Sequence, residues 1–515
     1  MAEVRIQEQE MNPDRTIQKL RPVMLAGTGS DVGKSIIATA LCRIFLQDGY
    51  SPAPFKAQNM ALNSFATPQG FEIGRAQAVQ AEAAGIACHT DMNPLLLKPS
   101  SDHTSQVVLN GKPIGNRNAY DYFRKEGREE LREQVNAAFD RLAQRYNPIV
   151  MEGAGSISEI NLRETDLVNM PMARHADANV ILVADIDRGG VFASAYGSVM
   201  LQTPEDRKRI KGIIVNKFRG DLRLFEEGVR IMEEICGIPV IGVVPYYKGI
   251  HIEEEDSLEL AQKQRSAIDG KVNIAVILLR HLSNFTDFNM LEHDSRVNLF
   301  YTNNPDEIQK ADIILLPGTK STLDDLYEIR KNGVAEAILR AHREGVTVMG
   351  ICGGYQMMGL TVQDPDGVEG SISQLPGLGL LPMETVMQGD KVTRQTRFSL
   401  SEYCEAAASD SNNTGYEIHM GKTVAAHGSD YKPMNILEDG TKDGCVADRR
   451  TCGTYIHGIL DNADVINWLL EPYSDKQESQ MSYSEFKEQQ YDLLADHVRK
   501  HLNMELLYEI MRSDD

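Results

Sequence analysis

Short, wholly apolar runs alternate along the chain with longer stretches in which apolar positions recur every three or four residues, and most apolar runs end in a cluster of glycine and polar residues. The first pattern predicts buried strands and the second amphipathic helices. Strands are expected at Arg21–Ala26, Pro52–Phe55, Pro148–Met151, Asn179–Ala184 and Gly212–Val215, with helical connections between them. Five strands so connected imply a mostly parallel, doubly wound sheet. The rhythm breaks at Ile252–Lys271, which is charged and poorly apolar, and resumes with Val272–Leu279, Asp312–Leu316 and Val346–Ile351. Between Asp364 and Asp448 the chain is rich in Gly, Thr and Val, which suggests extra antiparallel strands. The run Cys404–Asn413 reads as a loop, and from Asp461 onward the pattern is mainly helical, with Tyr483–Met504 amphipathic. The expected architecture is therefore α/β with two domains, each a mostly parallel doubly wound sheet flanked by helices, the second with extra antiparallel strands. Its expected divisions are an extension over 1–20, a first domain over 21–251, a linker over 252–271 and a second domain over 272–515.

Composition narrows the function classes. A chain of 515 residues, 42% hydrophobic and 25% charged, is an ordinary globular protein with room for more than one core. A formal charge of −21 argues against a nucleic-acid or anionic-membrane surface. An anionic small molecule must then be met by a local site. The seven cysteines show no C-x-x-C spacing, which fits a reducing compartment. With a polar beginning and no apolar run of membrane-spanning length, a cytoplasmic location is expected. A homo-oligomer is compatible with the sequence.

The first strand runs directly into Gly27-Thr28-Gly-Ser-Asp-Val-Gly33-Lys34-Ser35, followed by an apolar-periodic helix. Strand, glycine loop, Gly-Lys-Ser and helix make a phosphate-binding loop, although five residues separate its glycines where the strict pattern has four. Such a loop turns backbone N–H groups onto phosphate, sends the lysine to the terminal phosphates and offers the serine hydroxyl to Mg²⁺. ATP and Mg²⁺ are the expected cofactors. Glu152, at the end of its strand and before Gly-Ala-Gly, is a second candidate ligand for the metal. Ligands in open α/β sheets bind beyond the carboxyl ends of strands. Lys56, Gln58 and Asn59 follow one such strand, and Asp185, Asp187 and Arg188 another; both groups are candidates to contact substrate. Asn216 and Lys217 follow a third and could hydrogen-bond the edge of a nucleotide base.

In the second half, Gly350-Ile-Cys352-Gly353-Gly354 places a cysteine at a tight strand-to-helix turn. That is a nucleophile elbow with sulfur in place of a hydroxyl, and the Gly353 N–H can face a developing oxyanion. A second oxyanion donor is expected from Gly318 in Pro317-Gly-Thr-Lys-Ser321. The thiol needs a base. His457, in Tyr-Ile-His-Gly at a strand end, is the preferred candidate, and His419, two residues after Glu417, is the competitor.

The five-residue phosphate loop resembles that of dethiobiotin-synthetase-like ATPases, and G-I-C-G-G-Y-Q with a distant Y-I-H-G resembles class I glutamine amidotransferases. Together with F-K-A-Q-N-M-A-L-N-S, V-A-D-I-D-R-G-G-V-F-A, V-N-K-F-R-G-D, L-S-N-F-T-D-F and G-Y-E-I-H-M-G, they resemble the cobyric acid synthase family from Pro22 to about Leu460. The resemblance implies amidation of the b, d, e and g carboxylates of adenosylcobyrinic acid a,c-diamide, with L-glutamine as nitrogen donor. Many triad amidotransferases carry a glutamate two residues after the histidine; here that residue is Ile459, so the third member is missing or supplied from elsewhere. Alternatives are a cobyrinic acid a,c-diamide synthase and, less well supported, a partitioning-type ATPase switch.

Overall fold

The computed structural model describes residues 18–99, 104–118, 128–253, 266–404, 413–474 and 482–512. Most of the expected extension and linker, and the loop residues 405–412, lie outside these. The first sheet has six parallel strands: β1 (Val23–Gly27), β2 (Ala53–Phe55), β3 (Ile149–Glu152), β4 (Asn179–Asp185), β5 (Ile210–Phe218) and β6 (Val240–Pro245). They are ordered β6-β5-β4-β1-β3-β2, so β1 sits in the middle, between β4 and β3. Its five residues are all buried, as expected of a central strand covered on both faces. The sixth strand, β6, was not expected. It lies at the sheet edge and is only half-buried, although its sequence V-I-G-V-V-P is apolar throughout.

The second sheet comprises β7 (Val272–Ile277), β8 (Val297–Thr302), β9 (Ile313–Leu316), β10 (Thr347–Ile351), β11 (Cys445–Asp448) and β12 (Thr451–Thr454), in the order β8-β7-β9-β10-β12-β11. All neighbours are parallel except β11 and β12. The expected extra antiparallel strands are present as a long hairpin, Met383–Leu400 paired with Asn413–Ala425. A small sheet in the first half, built on Gln58–Met60, Leu95–Pro99, Thr104–Leu109 and Lys112–Asn118, had no counterpart in the expected elements.

Helix α1 (Lys34–Gln47) starts directly after Gly33, whose φ of 91° needs a residue without a Cβ. It packs against α2 (Arg75–Ala83) and against the carboxy-terminal helix α4 (Tyr483–His501). Tyr491, Leu494, Ala495 and Val498 of α4 share one core with Leu25, Ile37 and Leu41. The carboxy-terminal helices, expected with the second half, therefore cover the first sheet. The second sheet has its own core, in which Cys352 and Tyr355 of the elbow are members. No helix among the described residues is long and apolar enough to cross a membrane.

Candidate active sites

The first site lies at the carboxyl ends of β1 and β3. Lys34 is buried and its ammonium donates to the carbonyls of Gly29 (2.8 Å), Ser30 (3.1 Å) and Gly155 (3.0 Å). The loop is thereby closed on the Gly-Ala-Gly turn after Glu152. The Ser35 hydroxyl donates to Glu152 Oε1 at 2.7 Å, Lys56 Nζ reaches the same oxygen at 2.9 Å, and Gln80 Nε2 donates to Oε2 at 2.9 Å. Burial would raise the Glu152 carboxyl, but Lys56 and these hydrogen bonds hold it below the usual range. The result is an ionised carboxylate beside a hydroxyl, an oxygen pair suited to a hard divalent cation. Gly27 is also confined: a Cβ there would lie 2.6 Å from Lys34 Nζ and from the Gly29 carbonyl. The Thr28 N–H is already spent on the Val183 carbonyl (3.1 Å).

The remaining candidates of the first half divide into two groups. Asn59 donates to Gln77 at 3.0 Å, and Gln58 lines a cavity with Ala154, Gly155 and Ser156, so this cluster borders the phosphate loop. Asp185, Asp187, Arg188, Asn216 and Lys217 gather on the other side. Asn216 donates to the Val32 carbonyl at 2.8 Å and lies so close to Gly33 that a Cβ there would be 2.2 Å from its amide nitrogen. Lys217 pairs with Asp185 at 3.3 Å, Arg219 with Asp187 at 2.7 Å and Arg188 with Asp31 at 2.7 Å. Asn216 and Lys217 lie within β5, which runs on to Phe218 and does not end at Val215 as expected, and both donate to loop carbonyls, those of Val32 and Asp31.

The second site is the elbow. Strand β10 ends at Ile351, Cys352 takes φ 51° and ψ −110°, and α3 (Gly353–Met358) begins at the next residue. A non-glycine residue at positive φ is uncommon and costs on the order of 1–3 kcal/mol, a strain that turns the thiol out of the strand. Gly354 must be glycine, because a Cβ would lie 2.0 Å from the Leu316 carbonyl; at Gly353 it would meet Thr319 at 2.6 Å. The elbow is thus pressed onto the loop that carries Gly318, where a Cβ would stand 3.0 Å from His457 Cε1. Gly353 thus adjoins the thiol and Gly318 the imidazole.

His457 is 2% exposed and lines the same cavity as Cys352, whose thiol donates to the Ile418 carbonyl at 3.6 Å. Its Nδ1 lies 2.7 Å from Asp287 Oδ2, while Asp287 Oδ1 accepts from the Gly458 N–H at 2.9 Å. Burial disfavours the imidazolium, yet the charges of Asp287 and Cys352 outweigh it and raise His457 to about 10. Asp287 supplies the carboxylate that Ile459 does not, from the turn Phe285–Phe288 after β7. No spacing could place it, since 170 residues separate it from His457; the polar-aromatic run around it was the sole signal. His419 is otherwise engaged: its Nδ1 meets the Gly421 carbonyl at 2.9 Å and its ring stacks on Tyr455 at 3.8 Å. Cysteine, histidine and aspartate so arranged can attack an amide carbon and protonate its leaving nitrogen.

Comparison with known proteins agrees with this division. Residues 23–259 match the model of a CobQ/CobB/MinD/ParA nucleotide binding domain, and residues 273–465 that of a CobB/CobQ-like glutamine amidotransferase domain. The cobyric acid synthase of Phocaeicola vulgatus is 72% identical over 97% of this chain and 100% of its own length. The chain belongs to the cobyric acid synthase family. Members from Parabacteroides distasonis (56% identical, covering 96% of this chain and all of the relative) and Syntrophobacter fumaroxidans (48%, covering 96% and 99%) extend the match across more distant sources.

The two halves of the chain meet at a seam of hydrogen bonds and aromatic contacts. Asn284, three residues before Asp287, exchanges hydrogen bonds with the Ser64 backbone at 3.3 and 3.4 Å and donates to the Tyr416 hydroxyl at 3.0 Å. The Tyr416 ring packs on Phe65 of the first half at 4.6 Å and stacks on His457 at 5.3 Å. Arg75 on α2 pairs with Glu253, which also accepts from Tyr483 of α4.

Proposed function

We propose that this chain forms cobyric acid by amidating the b, d, e and g carboxylates of adenosylcobyrinic acid a,c-diamide, using ATP and glutamine. The observation that carries the reading is the pairing, in one chain matched end to end by cobyric acid synthases, of a buried Cys352–His457–Asp287 relay with a phosphate loop closed on Glu152. In the second half Cys352 attacks the side-chain amide of glutamine. The N–H groups of Gly353 and Gly318 receive the developing oxyanion, and His457 gives a proton to the departing ammonia. Water then releases glutamate from the thioester. Asp287 holds the imidazole in orientation and stabilises its charge.

In the first half Lys34 and the loop amides hold the triphosphate, with Asn216 and Lys217 supporting the loop and its nucleotide. Ser35 and Glu152 would hold Mg²⁺, which neutralises charge on the phosphates. A carboxylate cannot be amidated directly, because oxide is too poor a leaving group; transfer of the γ-phosphoryl group to it gives ADP and an acyl phosphate, whose acyl carbon ammonia attacks with phosphate as the leaving group. Lys56, Gln58 and Asn59 border the place where that carboxylate must stand, and Asp185, Asp187 and Arg188 set the charge at the opposite rim. The reading places the enzyme in the cytoplasm.

Incubation with adenosylcobyrinic acid a,c-diamide, ATP and glutamine should convert four carboxyl groups to amides, counted by product mass. The Lys34→Ala variant should form no amide from either glutamine or ammonium. Amide formation by that variant would remove the phosphate loop from the reaction.

A further inference from the structure

The cavity that holds Cys352 and His457 is also lined by Lys98, Lys320, Glu369 and Lys391, groups that the acyl-transfer chemistry does not use. Lys98 belongs to the small sheet of the first half and Lys391 to the long hairpin of the second. Their ammonium groups share one carboxylate: Lys98 Nζ lies 2.8 Å from Glu72 Oε1, and Lys391 pairs with Glu72 Oε2. All three are nearly sealed from solvent, with side chains 6%, 7% and 0% exposed. Lys98 also donates to Ser64 Oγ at 2.9 Å. Two lysines on one carboxylate leave a surplus positive charge in a place where an uncompensated charge is costly.

Beside them Lys320 forms no ion pair among the described residues, and Glu369 accepts from the Thr322 N–H at 2.7 Å. Burial lowers Lys320, brings Lys391 down to about 8 and raises Glu369 to about 7. Lys391 shares Glu72 with Lys98, and Lys320 and Glu369 face each other, so three lysines stand against two carboxylates and the cluster carries one cation in excess. A free amino acid whose amide lies at Cys352 carries both kinds of charge, one anionic and one cationic, on its α-carbon.

We propose that this cavity reads the zwitterionic head of glutamine: Glu369 takes the α-ammonium, and Lys320 and Lys391 take the α-carboxylate, with Glu72 and Lys98 of the first half holding Lys391 in position. The inference rests on the glutaminase reading of Cys352. It makes the glutamine pocket a product of both halves, since the residues that aim Lys391 come from the synthetase side. It predicts that the site takes free glutamine and not glutamine within a peptide, where neither α-charge exists.

The test uses protection of Cys352 from alkylation by iodoacetamide in the full-length chain. Three amides are compared: glutamine, 4-aminobutanamide, which lacks the α-carboxylate, and glutaramate, which lacks the α-ammonium. Loss of one charge-assisted hydrogen bond weakens binding by roughly 10- to 100-fold. Lys391→Met should raise the half-protecting concentration of glutamine by about that factor and leave that of 4-aminobutanamide within about twofold. Glu369→Gln should weaken glutamine similarly and spare glutaramate. Lys320→Met repeats the first pattern should Lys391→Met fail to fold, and ammonium-supported amidation reports folding in every variant. Equal losses for all three amides, or none for glutamine, would overturn the inference. A native chain that releases no ammonia from glutamine would instead overturn the glutaminase reading on which it rests.

Discussion

Cys352 at φ 51° is held by its neighbours: Gly354 lies against the Leu316 carbonyl and Gly353 against Thr319. The thiol then meets an imidazole whose far nitrogen is fixed by Asp287. Asp287→Asn keeps the shape and removes the charge, so glutamine hydrolysis should fall by roughly 10²- to 10⁴-fold, while ammonium-supported amidation persists; initial rates with each nitrogen source check this. The same pair has a pH signature. Because the folded His457 titrates near 10 against an ordinary value of 6.5, its stabilising contribution is full below about 6.5 and is lost as pH rises through about 10. The difference in thermal midpoint between the native chain and Asp287→Asn should shrink over that window. Cys352 and His457 were legible because each sits in a glycine-marked strand end. Asp287 was not, because its partnership exists only once β7 and β12 share a sheet.

Helix α2 links the two sites. Its Gln80 donates to Glu152 at the phosphate loop, and its Arg75 pairs with Glu253 and lies over the Phe65 ring at 4.6 Å. The Arg75 and Glu253 side chains are 5% and 4% exposed, so truncating one strands the other without its counter-charge. Arg75→Met should destabilise the fold by roughly 3–5 kcal/mol, read as a clear fall in the thermal unfolding midpoint. Nothing in the helix's own sequence, R-A-Q-A-V-Q-A-E-A, signals this role; its polar residues look like a solvated face. They are buried because α2 is covered by α1, β2 and the Ser64–Ala66 and Glu72–Gly74 strands. By contrast, β1, β4 and β10 were legible from their apolar runs, since burial on both faces leaves no polar alternation to confuse the pattern.

At the scale of the molecule, each half presents its chemistry at the carboxyl ends of its strands, and the seam between them combines hydrogen bonds with an apolar contact of Phe65 and Ala66 on Tyr416 and Ile418. The carboxy-terminal helix reinforces the union by leaving the second sheet and packing on the first. That return of the chain was invisible to a reading in sequence order, because an amphipathic helix does not state which core it covers. The whole arrangement makes sense if nitrogen freed at Cys352 is consumed beside Lys34. The direct test is to supply Cys352→Ala with adenosylcobyrinic acid a,c-diamide, ATP and either glutamine or ammonium, and to measure product mass. Amide formation from ammonium alone is the predicted result; amides formed from glutamine by this variant, or from neither source, would contradict the coupling of the two sites.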